Sequence, residues 1–231
     1  MKIWFISDTH QLHSRLKVPK DIDVVIHAGD ATNNGSSLVN HSEMIDFLNW
    51  YQLLNIPTKI FVPGNHDTSV QRGLIGLQEF QLRNIIYLED SYVMLNQDEI
   101  TGDGIMIYGS PWTPNFGVGW AWNKDRFKLE SIWNNVPSNT DILVTHGPPK
   151  GILDLSRDRD GKLEYCGDKA LLNKVLKVKP KIHCFGHIHN SEDNINQGVR
   201  EYEGIKFINA SCVEDGRFDK GPSSYGVVID Y

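Results

Sequence analysis

Lys181-Ile-His-Cys-Phe-Gly-His-Ile-His189 is an apolar run that stops at a glycine and releases two histidines spaced i, i+2. On an extended backbone that spacing points both imidazoles to one face, so the pair can serve one metal ion or two neighbouring ones. Alone the motif is weak, because His-x-His also arises in ordinary strands. Four earlier segments share its shape: an apolar run, a small-residue turn, then a carboxylate, amide or imidazole. That recurrence points to an α/β fold whose strand ends carry the chemistry.

Working outward, residues 2 to 6 form an apolar, β-prone run that ends at Ser7-Asp8-Thr9-His10. This reads as a buried strand opening into a polar loop, with Asp8 and His10 on one face. In Asp23-Val-Val-Ile-His-Ala-Gly-Asp30, Gly29 permits a tight turn before a carboxylate. Lys59-Ile-Phe-Val-Pro-Gly-Asn-His-Asp67 stops at Pro63, which has no N–H to give a ladder, and brings Asn65, His66 and Asp67 out together. Asn65 offers a neutral carbonyl oxygen to a metal and His66 can carry a proton, whereas Asp67 reads as a helix cap or as part of the site. Asp141-Ile-Leu-Val-Thr-His-Gly-Pro-Pro149 presents His146, fixed at a turn because Gly-Pro-Pro continues neither strand nor helix.

Between these segments, apolar spacing predicts helices over 42–54, 71–82, 124–133 and 168–178, with strand-like runs at 85–88, 92–95, 105–108, 200–208 and 225–229. His27 and His183 lie inside apolar runs and read as hydrogen-bonded core residues; His13 and His41 read as solvated. Ser110-Pro-Trp-Thr-Pro-Asn-Phe-Gly-Val-Gly-Trp-Ala-Trp122 is aromatic, rich in Pro and Gly, and without period. Its Trp112, Phe116, Trp120 and Trp122 either wall a substrate or pack the loop on its own scaffold. Residues 150–167 read as a charged loop with Arg157, Asp158, Arg159 and Asp160, either a lid or a solvated face.

No stretch reads as a linker, so the 231 residues are expected to form a single domain, 1–231. The formal charge of −6 argues against a broad basic surface for nucleic acid. Cys166, Cys184 and Cys212 are widely spaced and odd in number, which indicates neither a disulfide framework nor a thiolate zinc site and fits a reducing, cytoplasmic setting. The N-terminal apolar run is too short for a signal peptide, and no segment has the roughly 18 apolar residues of a membrane span. Neither a membrane nor a stable nucleic-acid partner is expected.

The strand exits collect Asp8, His10, Asp30, Asn65, His66, His146, His187 and His189. Ligands of α/β sheets bind beyond the carboxyl ends of the strands, where these exits lie if the strands run parallel. Oxygen and imidazole donors without thiolate suit Mn²⁺, Fe, Zn²⁺ or Mg²⁺, and the set is too large for one ion. Two divalent ions about 3.5–4 Å apart need a bridge, which a carboxylate such as Asp30 supplies. Two such ions less two carboxylates leave a cationic site, for which a phosphate ester is the natural ligand.

Asp8-x-His10, Gly29-Asp30, Gly64-Asn65-His66-Asp67, Thr145-His146-Gly147 and Gly186-His187-x-His189 resemble the motif set of the calcineurin-like metallophosphoesterases. More narrowly, Ser110-Pro-Trp, Thr145-His-Gly-Pro-Pro149, Phe185-Gly-His-Ile-His189 and Phe207-Ile-Asn-Ala-Ser211 are similar to the small metallophosphoesterase-domain proteins of the fetal-brain 239 group. The resemblance implies a four-layer α/β/β/α sandwich, two mixed sheets flanked by helices. It implies Asp8, His10 and His189 on one divalent ion, Asn65, His146 and His187 on a second, and Asp30 bridging. Manganese is the first expectation for both. Catalysis is then expected from Asp30 and from His66, which meets the leaving oxygen while a hydroxide bridging the ions attacks phosphorus. Some members of the narrower group carry glycine at the position of His187; here the histidine is present. Asp30 is followed by Ala-Thr-Asn-Asn, without the arginine-bearing continuation of the Ser/Thr protein phosphatases, which disfavours phosphoprotein substrates. The rival reading is a non-catalytic metal- or nucleotide-binding scaffold on the same fold.

Overall fold

The computed structural model describes residues 1–96, 103–157, 160–191, 194–215 and 218–231. Its strands in chain order are β1 (Lys2–Ile6), β2 (Val24–His27), β3 (Thr58–Phe61), β4 (Ile85–Tyr87), β5 (Ser91–Leu95), β6 (Ile105–Ser110), β7 (Thr113–Pro114) and β8 (Asn123–Lys124). They continue as β9 (Ile142–Thr145), β10 (Leu155–Arg157), β11 (Leu163–Tyr165), β12 (Ile182–Phe185), β13 (Gly198–Tyr202), β14 (Ile205–Asn209) and β15 (Val227–Asp230). The helices are α1 (Ser37–Leu53), α2 (Thr68–Gln71), α3 (Leu77–Gln81), α4 (Arg126–Trp133) and α5 (Lys169–Val178).

Two mixed sheets result. The first has the order β15-β1-β2-β3-β4 and the second β13-β14-β12-β9-β6-β5. β1 to β4 run parallel, as do β14, β12, β9 and β6, while β15, β13 and β5 are antiparallel edges. The five motif strands are thus divided, β1, β2 and β3 in one sheet and β9 and β12 in the other. Ser7 joins the sheets: its N–H donates to the Ala210 carbonyl at 2.9 Å, and its own carbonyl accepts from Cys212 N–H at 2.8 Å.

Strand alternation explains the layers. Ile3, Phe5, Val24 and Ile26 point inward against Ile142, Val144, Ile182 and Cys184 of the facing sheet. Their neighbours Trp4, Ile6 and Val25 point the other way, onto Met44, Phe47, Leu48 and Tyr51 of α1. Leu143 and Phe185 likewise face Leu129 and Trp133 of α4 and Leu171 and Val175 of α5. Both sheets are therefore buried on both faces, which gives the expected α/β/β/α sandwich.

Several boundaries differ from expectation for local reasons. α1 begins at Ser37 rather than 42, because its first turn exposes Leu38 and Val39 and carries no apolar stripe to betray it. The helix expected over 71–82 is two short ones, α2 and α3, broken around Gly73 at φ +71°. The strand expected over 200–208 is the hairpin β13–β14, turning through Glu203 and Gly204, both at positive φ. The 150–167 segment contains the hairpin β10–β11. The Leu155 carbonyl in it accepts from Asn194 and Asn196, and the Gly151 carbonyl accepts from Arg200. Asp158 and Arg159 lie outside the described residues. Among the described residues, no helix is long and apolar enough to cross a membrane.

Candidate metal centre

The carboxyl ends of β1, β2, β3, β9 and β12 meet at one rim and place their polar groups together. Among the described residues, three groups have ligand atoms within 4.8 Å of one another: Asp8, His10 and His189; His10, Asp30 and His66; Asp30, His146 and His187. Asn65 joins the last group through Oδ1, 2.9 Å from His146 Nε2. Asp8, His10, Asp30, Asn65 and His146 form a buried floor, and His66, His187 and His189 form a half-buried rim. All eight sequence-predicted residues are thus in one place.

The backbone is held in an unusual form to do this. Asp8, His10, Asp30 and His187 all have left-handed φ, at +51°, +39°, +59° and +67°. Non-glycine residues visit that region rarely, and such strain gathers at functional sites. Gly186 and Gly64 lack a side chain because a Cβ at either would strike a carboxylate, that of Asp8 at the first and that of Asp30 at the second.

Each carboxylate is aimed from across the site. The backbone N–H of His187 donates to both Asp8 oxygens at 3.0 Å, and that of His66 donates to Asp30 Oδ1 at 2.7 Å. Asp30 Oδ2 is left facing His146 Nε2 at 3.2 Å, His10 Nε2 at 3.9 Å and His66 Nε2 at 4.0 Å. Asp8 Oδ1 lies 3.3 Å from His189 Nε2.

The imidazoles are oriented by their outer nitrogens. His10 Nδ1 donates to the Thr32 carbonyl at 3.0 Å, His146 Nδ1 to the Ala28 carbonyl at 2.8 Å and His66 Nδ1 to the Asn33 carbonyl at 3.2 Å. His189 Nδ1 donates to Asp215 Oδ1 at 2.8 Å. A carbonyl partner fixes the Nδ1–H tautomer and turns Nε2 inward, the arrangement by which proteins present histidine to a metal. The donor set therefore fits divalent ions: inward Nε2 atoms, carboxylate oxygens and one amide oxygen, with no thiolate.

The buried titratable groups of the cluster shift one another in opposite directions. Burial works against the His146 imidazolium, yet the charge and hydrogen bond of Asp30 raise its pKa to about 9. Burial is likewise overcome at His189, where Asp215 and Asp8 raise it to about 10. Burial opposes ionisation of Asp8, but His189 brings its carboxyl down to about 2. Burial, helped by the neighbouring imidazoles, lowers His10 to about 4 and His187 to about 3.

Asp67 stands at the N-cap position of α2, but its side chain makes no capping bond. It is fully buried and accepts from the N–H groups of Asp30, Thr32 and Gly64 and from Thr32 Oγ1, at 2.8–3.1 Å, so it clamps the loops after β2 and β3 together. His13 is not solvated either: it is buried, packs on Phe47 and Trp50, and lies 3.3 Å from Asp46. His41, expected in solvent, is half-buried in α1. His27 and His183 are core residues bonded to Thr9 and Thr145, and burial lowers each to about 3.

The sequence reading missed Asp215. It follows β14, whose end Asn209-Ala-Ser211 is one more apolar run opening through small residues, so the same strand-end reasoning would have reached it. Replacing Asp215 by Ala is expected to lower divalent-metal affinity about 10–100-fold, the usual effect of removing a ligand's outer partner. Asp215 is largely exposed, so folding should be unaffected. Unchanged affinity by titration calorimetry would reduce the His189–Asp215 contact to a surface ion pair.

Metallophosphoesterase domain-containing protein 1 of Homo sapiens is 36% identical over 230 residues, covering 89% of this chain and 64% of its own length. The chain thus spans less than two-thirds of that relative. A UPF0046 protein of Caenorhabditis elegans is 35% identical over 220 residues, covering 90% of this chain and 74% of its own. Among solved structures, phosphopantetheinyl hydrolase of Mycobacterium tuberculosis has a TM-score of 0.61 at 15% identity, covering 99% of this chain and 95% of its own. The TT1561 protein of Thermus thermophilus has a TM-score of 0.57 at 10% identity, with 90% and 88% covered. At such identities these two speak for the fold alone. The profile of the calcineurin-like phosphoesterases matches residues 1–191, from the first motif strand through the His187/His189 pair, and the chain belongs to that family.

Proposed function

We propose that this chain is a dinuclear metal-dependent phosphoesterase, acting on phosphodiesters foremost, with cyclic nucleotides among the candidate substrates. The observation that carries the reading is Asp30, whose Oδ2 faces His146 on one side and, on the other, His10, which also belongs to the Asp8–His189 group, so that Asp30 would be the residue to bridge two ions. Asp8, His10 and His189 would hold one ion and Asn65, His146 and His187 the second. The mixed oxygen and imidazole set suits Mn²⁺ first, then Fe, Zn²⁺ or Mg²⁺. Such ions supply Lewis acidity, lowering the pKa of bound water and neutralising charge on phosphoryl oxygens.

The chain's own residues supply the rest. With Nδ1 bonded to the Asn33 carbonyl, His66 turns Nε2 toward Asp30 from the half-open rim, where it can protonate a departing alkoxide. The Asp67 clamp fixes the backbone of Asp30 and Gly64, and so the spacing between the loop that bridges and the loop that protonates. We read residues 1–231 as one catalytic domain working on a small phosphorylated substrate, with cytoplasmic residence suggested by three free cysteines.

The test is a panel. Protein loaded with each of the four metals is assayed on bis-p-nitrophenyl phosphate, p-nitrophenyl phosphate, and 2′,3′- and 3′,5′-cyclic nucleotides. Turnover is expected with manganese, faster on diester than on monoester. Absence of turnover with every metal would instead favour a binding scaffold.

A further inference from the structure

The aromatic loop between β6 and α4 divides its four large rings into two pairs. Trp122 is buried and donates Nε1–H to Glu89 at 2.9 Å; Trp112 donates to Asp90 at 2.8 Å and lies under Lys124, 4.3 Å from its ring centre. These two anchor the loop on the start of β5. Its base is closed by Thr113 N–H to the Trp122 carbonyl at 3.0 Å and Asn115 N–H to the Lys124 carbonyl at 2.8 Å. A further bond, from Ala121 N–H to the Asn65 carbonyl at 3.0 Å, ties it to the metal-centre loop.

The other pair is presented at the site. In Phe116-Gly-Val-Gly-Trp120, Gly119 at φ +89° turns the chain back, so that Phe116 and Trp120 converge with ring centres 5.7 Å apart. Trp120 lies 4.5 Å from the His66 ring and Phe116 lies 5.1 Å from the His187 ring. Yet 48% of Phe116 and 36% of Trp120 remain exposed. A loop that served only to cover the histidines would bury these rings, as it buries Trp122. Instead the anchored base holds two open aromatic faces at the rim, Trp120 beside the imidazole assigned to the leaving oxygen and Phe116 beside His187.

We propose that Phe116 and Trp120 form a stacking wall that selects phosphate esters carrying a planar aromatic group, the leaving side of the ester resting on Trp120. The proposal rests on the phosphoesterase reading, which makes His66 the leaving-group residue. Planar rings gain from stacking on an aromatic side chain, whereas a methyl or short alkyl group offers no such face.

The test compares two inert anions with the same headgroup, phenylphosphonate and methylphosphonate. Binding to the manganese-loaded protein is measured by calorimetry at alkaline pH, where both are dianions. Phenylphosphonate is expected to bind roughly tenfold or more tightly. Trp120→Leu and Phe116→Leu should each shrink that preference and the double variant should remove most of it, with metal content by elemental analysis unchanged. Equal binding of both anions to the wild-type protein, or a preference that survives the double variant, would overturn the wall while leaving the phosphate site standing. Binding of neither anion would overturn the phosphoesterase reading and the wall with it.

Discussion

Asp30→Asn is expected to cost nearly all phosphodiester turnover and at least one bound metal ion, without unfolding the protein. The substitution is close to a pure charge test. Asn tolerates the left-handed φ of +59° at this position as well as Asp does, and its Oδ1 still accepts the 2.7 Å bond from His66 N–H. What it removes is the anionic Oδ2 that faces His146 at 3.2 Å and His10 at 3.9 Å. The amide NH2 that would stand in its place has neither the charge nor a free lone pair to offer a cation. Losing a ligand's outer partner costs about 10–100-fold in affinity or activity, and losing the bridge itself should exceed that. Wild-type metal content by elemental analysis would sink the bridging assignment, whatever the turnover.

His66→Ala should behave oppositely, keeping its metals and losing turnover by roughly 10²–10⁴-fold, the range of a positioned acid. The His66 side chain is half-buried at the rim, and the backbone N–H that holds Asp30 survives in alanine. The loss should be larger for phenyl than for p-nitrophenyl leaving groups, since a stable phenolate departs without a proton. A leaving-group series with equal losses would remove His66 from the protonation step, and a loss of metal would make it a ligand, as its place beside His10 and Asp30 also permits.

The site was more legible in the sequence than its supports were. Strand ends announce themselves, because an apolar run stopping at Gly29, Gly64 or Gly186 is local, and local pattern survives any packing. That these ends belong to two sheets was not readable from the strands. Ile3 and Trp4 are equally apolar, and only the fold decides that one faces a sheet and the other a helix. The resemblance to known metallophosphoesterases supplied the sandwich. Asp67 and Asp215 show the remaining gap: strand-end reasoning brings each residue to the site, but what each does depends on a partner distant in sequence, Asp67 on the β2 loop and Asp215 on His189, and no spacing rule pairs them. His13 looked like loop because its partners, Phe47 and Trp50, come from a helix more than thirty residues on.

The central claim is that these five strand ends hold two ions, and a metal titration tests it most directly. In the metal-free chain, imidazole pKa values of about 9 at His146 and about 10 at His189 stand above the ordinary 6.5. Raised values mean that these protons stabilise the fold below about pH 6.5, a contribution lost as pH climbs through 9 to 10. At pH 8 both protons are still bound, and metal must displace them. Chelated protein titrated with Mn²⁺ at pH 8 in weak buffer is therefore predicted to take up two ions per chain and release about two protons. Saturation at one ion, or uptake without proton release, would contradict the two-ion centre built on Asp30, His146 and His189.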